Sequence, residues 1–276
     1  MILDIYQKKL HTISKQFLEQ FVATSFGTTN VIILGDAQKP KLFLIHGLNS
    51  SAPFALDTFS FLVDKFQIVA IDVLGEPNKS DFVRLNKNDA SYGLWLLEVI
   101  QYFKFDMYSL CGISFGSFPI LKSILIDEKK VKEVFLISPA GIINGNILKT
   151  IAAFFIPFKK FKKTKKEASL EKCLQSYLDS YDAILKNHYR EVFLNFEMDF
   201  SLTPNFKKSE LSKIKIPITI ISSKNDFFVP AKKLKKRCEK NISSLKNFII
   251  LKNSKHIPSK KVLAQTFKNI TSQNDR

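Results

Sequence analysis

Six short, continuously apolar runs recur along this chain, and each gives way within a few residues to a polar or glycine-bearing turn. They are Leu42-Phe43-Leu44-Ile45 before His46-Gly47, Ile68-Val69-Ala70-Ile71 before Asp72, and Met107 to Cys111 before Gly112. Val134-Phe135-Leu136-Ile137 precedes Ser138-Pro139, Ile218 to Ile221 precedes Asp226, and Phe248 to Leu251 precedes His256. Runs this short with no polar alternation fit strands buried on both faces, as in a parallel sheet covered by helices. Residues 90–102, 115–126 and 231–238 read as helices between the runs, with room for right-handed crossovers. The expected fold class is α/β, a mostly parallel central sheet with helices on both faces. Such sheets bind ligands beyond the carboxyl ends of their strands, where the polar residues just named fall.

Upstream, Leu10, Ile13, Phe17 and Phe21 recur at helical spacing. They predict an amphipathic helix leading into strands near residues 21–26 and 31–34. The interval from Pro139 to Pro217 breaks the strand–helix rhythm. It holds an apolar stretch at 147–158, a lysine-rich stretch at 159–166, and a long predicted helix. The apolar positions of that helix are Leu170, Cys173, Leu174, Tyr177, Leu178, Tyr181, Ile184 and Leu185. Thr164 and Glu167 have the T-x-x-E spacing of a capping box for it. A chain of 276 residues suits one α/β domain with one insertion. The expected organisation is a core of residues 1–144 and 213–276, with a helical cap at 145–212 over the strand ends.

The chemistry concentrates in Gly112-Ile113-Ser114-Phe115-Gly116, a G-x-S-x-G pattern between a predicted strand and a predicted helix. A serine on so sharp a turn exposes its hydroxyl, and side chains at 112 and 116 would collide with neighbouring backbone. The same turn puts the Phe115 N–H at a helix N-terminus, ready to stabilise an oxyanion. In His46-Gly47, the glycine lets the loop turn under Ser114 and brings the Leu48 N–H in as a second donor. The His46 imidazole reads as structural, bonded to loop backbone. Of four histidines, His11 lies on the N-terminal helix and His188 in the insertion; His256 alone follows the last predicted strand. It is the candidate base. Asp226, after the preceding strand, is the candidate acid that orients the imidazole. The plain alternatives are a glycine-flanked turn at 112–116, an Asx turn at Asp226 and a surface histidine at 256.

On these residues, in the order Ser114, Asp226, His256, the chain resembles the lid-containing serine carboxylesterases and lipase-like enzymes of the α/β-hydrolase superfamily. The resemblance runs from about Phe21 to Phe267, with the insertion in the family's lid position after the sixth strand. Asp72-Val73-Leu74-Gly75, followed by Ser80, resembles the family's D-x-x-G-x-S loop with a longer spacer, which makes Asp72 a loop-fixing residue. Ser117 stands where many relatives have another glycine, and Lys255 where glycine is common. The resemblance implies hydrolysis of a small-molecule ester through an acyl-enzyme, with no metal or organic cofactor. Thioesterases, carbon–carbon hydrolases and acyltransferases use the same triad, and a ligand-binding protein on the same fold is the rival from another class.

Charge invites a different reading. Lys and Arg number 42 against 25 Asp and Glu, a formal +17. Yet only Arg84, Arg190, Arg237 and Arg276 are arginines, and no zinc-finger, RNP or basic-zipper pattern is present, so nucleic acid is not expected as a partner. Cys111, Cys173 and Cys238 are too scattered for a disulfide frame or metal site. The segment Met1 to Gln20 lacks a signal-peptide core, and no apolar stretch reaches the roughly 20 residues of a membrane span, which points to the cytoplasm. Residues 151–158 are apolar on nearly all sides and are followed by Lys159, Lys160, Lys162, Lys163, Lys165 and Lys166. Either this segment lines the underside of a lid and the lysines are simply solvated, or its outer face meets an anionic membrane. In the second case each lysine adds about 1 kcal/mol and Phe155 or Phe158 inserts. Oligomeric state is not legible in the sequence.

Overall fold

The computed structural model describes residues 1–13 and 16–274 of the chain. Among these residues the strands are β1 (Phe17–Thr24), β2 (Gly27–Leu34), β3 (Lys41–Ile45), β4 (Gln67–Ile71), β5 (Tyr108–Ile113), β6 (Val131–Ile137), β7 (Ile218–Ser223) and β8 (Leu245–Leu251). They form one sheet in the order β1-β2-β4-β3-β5-β6-β7-β8. β2 runs antiparallel to β1 and β4, and every pairing from β4 to β8 is parallel. The helices before the insertion are α1 (Ile2–His11), α2 (Ala52–Phe59), α3 (Ser91–Tyr102) and α4 (Ser117–Ile126). Between β6 and β7 lie α5 (Ile147–Thr150), α6 (Ile156–Thr164), α7 (Glu167–Tyr177), α8 (Ala183–Asn195) and the short α9 (Lys208–Leu211); α10 (Ala231–Asn241) and α11 (Lys260–Asn274) follow.

The pleat divides each apolar run between two cores. Phe43, Ile45, Val69 and Ile71 pack with Trp95 of α3, Phe118 of α4 and Leu234 of α10. Leu42, Leu44, Ile68 and Ala70 pack with Leu10 of α1, Phe59 of α2 and Phe267 of α11. Both faces of these strands are therefore covered, which is why their sequences show no alternation. β5 and β7 are buried at every position.

The insertion has a third cluster of its own, in which Phe154, Phe158, Phe161, Leu174, Tyr189 and Phe193 are buried together. Residues 151–155 form a wide π turn joining α5 to α6. The ties that fasten the α7–α8 half to the core include an ion pair and a backbone bridge. The Lys9 ammonium of α1 lies 2.7 Å from Asp182 and 2.5 Å from Asp57. Leu178 forms a parallel bridge with Ile257, supported by backbone bonds from Ile257 N–H to Tyr177 O and from Asp179 N–H to Ile257 O.

Four local expectations are corrected. Phe17 and Phe21 belong to β1, not to a helix, because pairing with β2 supplies their backbone partners; α1 ends at His11. Thr164 and Glu167 make no capping box: Thr164 closes α6, its hydroxyl donating to Lys160 O and accepting from Lys166 N–H. Lys165 then turns the chain at φ 54° before α7 starts. The long helix predicted through Leu185 is two helices, broken at Leu178 and restarted where Asp182 caps α8 by accepting from Leu185 N–H at 2.7 Å. Phe158 is buried and Phe155 half-buried, so neither projects outward for a membrane; packing inside the insertion claims both rings.

Candidate active site

Ser114 follows β5 directly, at φ 52°, on the tight turn that starts α4. Only a few non-glycine residues adopt such an angle, and here the strand and helix on either side impose it. The flanking glycines are steric necessities. A Cβ on Gly116 would stand 2.3 Å from Ile45 O, and one on Gly112 would stand 2.7 Å from Gly116 O. Gly47 backs against the serine itself, its added Cβ 3.3 Å from Ser114 Cβ, so the loop after β3 runs directly beneath the hydroxyl.

The structure brings the other two candidate residues to this turn. His256 Nε2 lies 2.8 Å from Ser114 Oγ, and His256 Nδ1 lies 2.7 Å from Asp226 Oδ2. The second Asp226 oxygen accepts from the N–H groups of Phe228 at 2.8 Å and Val229 at 2.9 Å. The carboxylate is thus fixed by its own turn while its free oxygen faces the imidazole. Both Asp226 and His256 are buried. An imidazole so held can accept the serine proton at Nε2 while Nδ1–H stays bonded to the carboxylate. Leu48, one residue past Gly47, lines the cavity with Ser114. Phe115 follows the serine at the first turn of the helix, its ring buried beneath the elbow.

His46 sits at the end of β3 but faces away from this chain of bonds. Its Nδ1 lies 2.7 Å from Gly47 O, and its Nε2 accepts from Val73 N–H at 2.9 Å. With Nε2 accepting, Nδ1 carries the proton. Burial pushes its pKa down to about 4, so the ring is neutral and holds two loops together. Asp72 is equally remote from the serine. Its oxygens accept from Tyr6 OH, Asn30 Nδ2 and Ala52 N–H, and Ser80 Oγ donates to its main-chain carbonyl. Burial raises its pKa to about 6. Ser117, in the place of a further glycine, satisfies its buried hydroxyl on Gly112 O at 3.1 Å.

Above the elbow lies a cavity of about 1090 Å³. Its walls are mainly apolar, with Phe154, Phe158, Tyr177, Tyr189 and Phe193 from the insertion and Phe228 beside His256. The Phe228 ring packs 5.0 Å from the imidazole, centroid to centroid. No group of His, Cys, Asp or Glu suited to a metal ion occurs among the described residues.

Three contributors escaped the sequence reading. Asp179, in the break between α7 and α8, accepts from Lys255 N–H at 2.6 Å and Ser259 N–H at 3.1 Å, bracketing His256. His188 of α8 is fully buried and bonds Asn49 O through Nε2 at 2.9 Å; burial pushes its pKa down to about 4. Glu76 accepts from Asn49 N–H at 2.5 Å, and burial raises its pKa to about 8. Asn49, at φ 58°, is therefore gripped from both sides immediately after Leu48. Nothing in the local sequence marks these three residues, because the backbone that each one holds lies far away in the chain.

No protein-family model matches the chain. Among curated proteins, it is 28% identical over 120 residues to the uncharacterized carboxylesterase nap of Bacillus subtilis, covering 44% of this chain and 40% of that protein. The carboxylesterase YbfK of Bacillus subtilis matches at the same identity and coverage. The matched segment thus spans about two fifths of the length of these relatives. Two solved structures superpose on nearly the whole chain. Naproxen esterase from Bacillus subtilis has a TM-score of 0.83 at 19% identity, covering 98% of this chain and 96% of its own. Carboxylesterase CesB (YbfK) from Bacillus subtilis has a TM-score of 0.80 at 18% identity, covering 99% and 95%.

Proposed function

We propose that this chain, an α/β-hydrolase in fold, is a serine carboxylesterase acting on small-molecule esters that carry an apolar group. The observation that carries the reading is the hydrogen-bonded series Ser114 Oγ, His256, Asp226 at a strand-to-helix elbow. The similarity to named carboxylesterases supports it.

Ser114 Oγ attacks the ester carbonyl carbon as His256 Nε2 takes its proton. Asp226 keeps Nδ1 protonated and stabilises the imidazolium that forms. The N–H groups of Leu48 and Phe115 hold the developing oxyanion. His256 then returns the proton to the leaving alcohol. Water, activated by the same imidazole, releases the acid from the acyl-enzyme. No step draws on a metal or organic cofactor. Residues 145–212 act as a cap whose aromatic underside receives the apolar group of the substrate and limits water at the acyl-enzyme.

The test is labelling with a fluorophosphonate probe together with a panel of nitrophenyl esters of graded acyl length. Wild-type protein should be labelled once and should turn over esters, while Ser114→Ala should do neither. Equal labelling of Ser114→Ala would overturn the assignment.

A further inference from the structure

The mouth of the cavity is built from the start of the insertion and from the segment that follows α8. Ile147, Ile151, Ile156, Phe200 and Leu202 line that mouth and are also exposed, Ile147 by 61%, Ile156 by 59% and Leu202 by 68%. Leu148 beside them is 73% exposed. Isolated surface apolar residues are ordinary, but here they cluster around one opening. The Phe200 ring packs on Phe155 and Phe158, which joins the 198–203 segment to α6 and makes the rim continuous.

Charge accompanies the rim. On α6, Pro157, Phe158 and Phe161 face inward, while Ile156, Lys159, Lys160 and Lys163 share the outer stripe at helical spacing. Lys159, Lys160, Lys162, Lys163, Lys165 and Lys166 are all exposed, and none is in an ion pair among the described residues. The acidic side chains of the insertion are engaged elsewhere. Glu167 pairs with Lys186 and Arg190, Asp182 with Lys9, Glu197 with Arg84 and Asp199 with Lys87. The rim therefore presents apolar side chains flanked by uncompensated positive charge.

We infer that this rim docks on an anionic lipid surface, so that an ester with its acyl chain in the lipid layer enters the cavity through the docked mouth. The apolar rim side chains would lie in the layer while the lysines meet its headgroups. A second copy of this chain is a poorer occupant, because it would set lysine against lysine on molecules of formal charge +17. Nucleic acid would satisfy the lysines and leave the apolar rim in water. The docking stands without the esterase reading; the statement about substrate entry rests on it.

The experiment is co-sedimentation of the full chain with vesicles of phosphatidylcholine alone and of phosphatidylcholine with phosphatidylglycerol, at low and high salt. Binding is expected to the second vesicle only and to be lost at high salt. The combined Lys160→Gln, Lys162→Gln and Lys163→Gln variant should lose at least about tenfold in partition coefficient while hydrolysing a short soluble ester as wild type does. Leu148→Ser with Leu202→Ser should also weaken binding, with an unchanged melting temperature showing that the fold is kept. Ser114→Ala should bind as wild type, which separates failure of docking from failure of the esterase reading. Absence of binding at low salt overturns the inference. So does binding untouched by the leucine replacements, which would be adsorption by charge alone. A concentration-dependent dimer abolished by those replacements would assign the rim to a second copy and overturn it equally.

Discussion

Ser114 and its two glycines lie within five consecutive residues, Gly112 to Gly116, whereas the insertion reaches the same cavity through contacts 139 residues apart (His188 to Asn49) and 76 residues apart (Asp179 to Lys255). The elbow is a rigid steric object, with Gly112 forced by Gly116 O of the same turn and Gly116 by Ile45 O of the neighbouring strand β3. Its glycines are forced by backbone atoms only a few ångströms away, and the serine angle by the strand and helix on either side. The insertion has no such local compulsion. Its aromatic residues cluster together, and its hold on the site comes from contacts to distant loops, both polar ones and the packing of Phe228 and Ile257 against that cluster. The two regions should therefore respond differently to substitution. Changes at the elbow should abolish chemistry or strain the fold outright, whereas changes at the insertion contacts should loosen geometry by degrees.

The largest effect is expected at the proposed nucleophile. Ser114→Ala should leave folding intact and lower ester turnover by on the order of 10⁴–10⁶, measured with protein free of wild-type contamination. Asp226→Asn should cost roughly 10²–10⁴ in kcat near neutral pH, because the imidazole loses the partner that fixes its tautomer. Asp72→Asn is the control: buried and fully bonded but remote from the serine, it should act on stability far more than on kcat. If Asp72→Asn were dead and Asp226→Asn active, the acid would have to be reassigned.

The steric claim is tested separately. Gly116→Ala puts a methyl 2.3 Å from Ile45 O, and backbone cannot withdraw as a side chain can. Denaturant titration should show a loss of about 1–3 kcal/mol, with activity falling as the elbow shifts. A variant as stable and active as wild type would mean that the turn is not under the stated compulsion.

A milder loss should follow at the insertion. Asp179→Ala removes the acceptor that brackets the His256 loop on both sides. Roughly a 10–100-fold fall in kcat/KM is expected, since small misplacement of a base is costly. The loss should fall mainly on kcat, with fluorophosphonate labelling slowed in parallel. A purely structural role would lower the melting temperature and leave the labelling rate of the folded fraction unchanged.

The same contrast explains what could be read in advance. Strands β3 to β7 were legible because burial on both faces removes polar residues from their central positions, β8 by its apolar run Phe248 to Leu251, and the candidate site residues were singled out by their places after those strands. The edge was not. Phe17 and Phe21 in β1 happen to keep helical spacing, and only β2, pairing alongside, decides for a strand. Within the insertion, Leu178 carries the apolar pattern on as though the helix continued, yet its backbone bridges to Ile257. Thr164 and Glu167 have the spacing of a cap, but the left-handed turn at Lys165 intervenes. Asp179, His188 and Glu76 look like ordinary surface polar residues until the backbone that each one holds is known.

The smallest effect at neutral pH, and the sharpest test of the long-range contacts, concerns the two groups that grip Asn49. His188 is held by burial at about 4, below its ordinary 6.5, so the unfolded chain binds a proton that the folded chain refuses. Its contribution to stability is complete above pH 6.5 and is lost as pH falls through about 4. Glu76 has the opposite sign. Burial raises it from 4.5 to about 8, so its contribution is complete below pH 4.5 and is lost as pH rises through about 8. His188→Gln keeps a donor for Asn49 O but removes the titration. Turnover at neutral pH should change by less than about threefold, while the slope of stability against pH between about 4 and 6.5 should drop by about 1.4 kcal/mol per pH unit. Glu76→Gln should raise the slope by the same amount between 4.5 and about 8. His46 and Asp72 also titrate in the acid range, but they do so equally in wild type and variants and cancel in the comparison. Urea titrations across that range measure the slopes directly. Parallel curves for wild type and His188→Gln would show that His188 is not kept neutral against Asn49, and the insertion would then be tied to the core through Lys9, Asp179 and the Leu178–Ile257 bridge, away from the loop after Leu48.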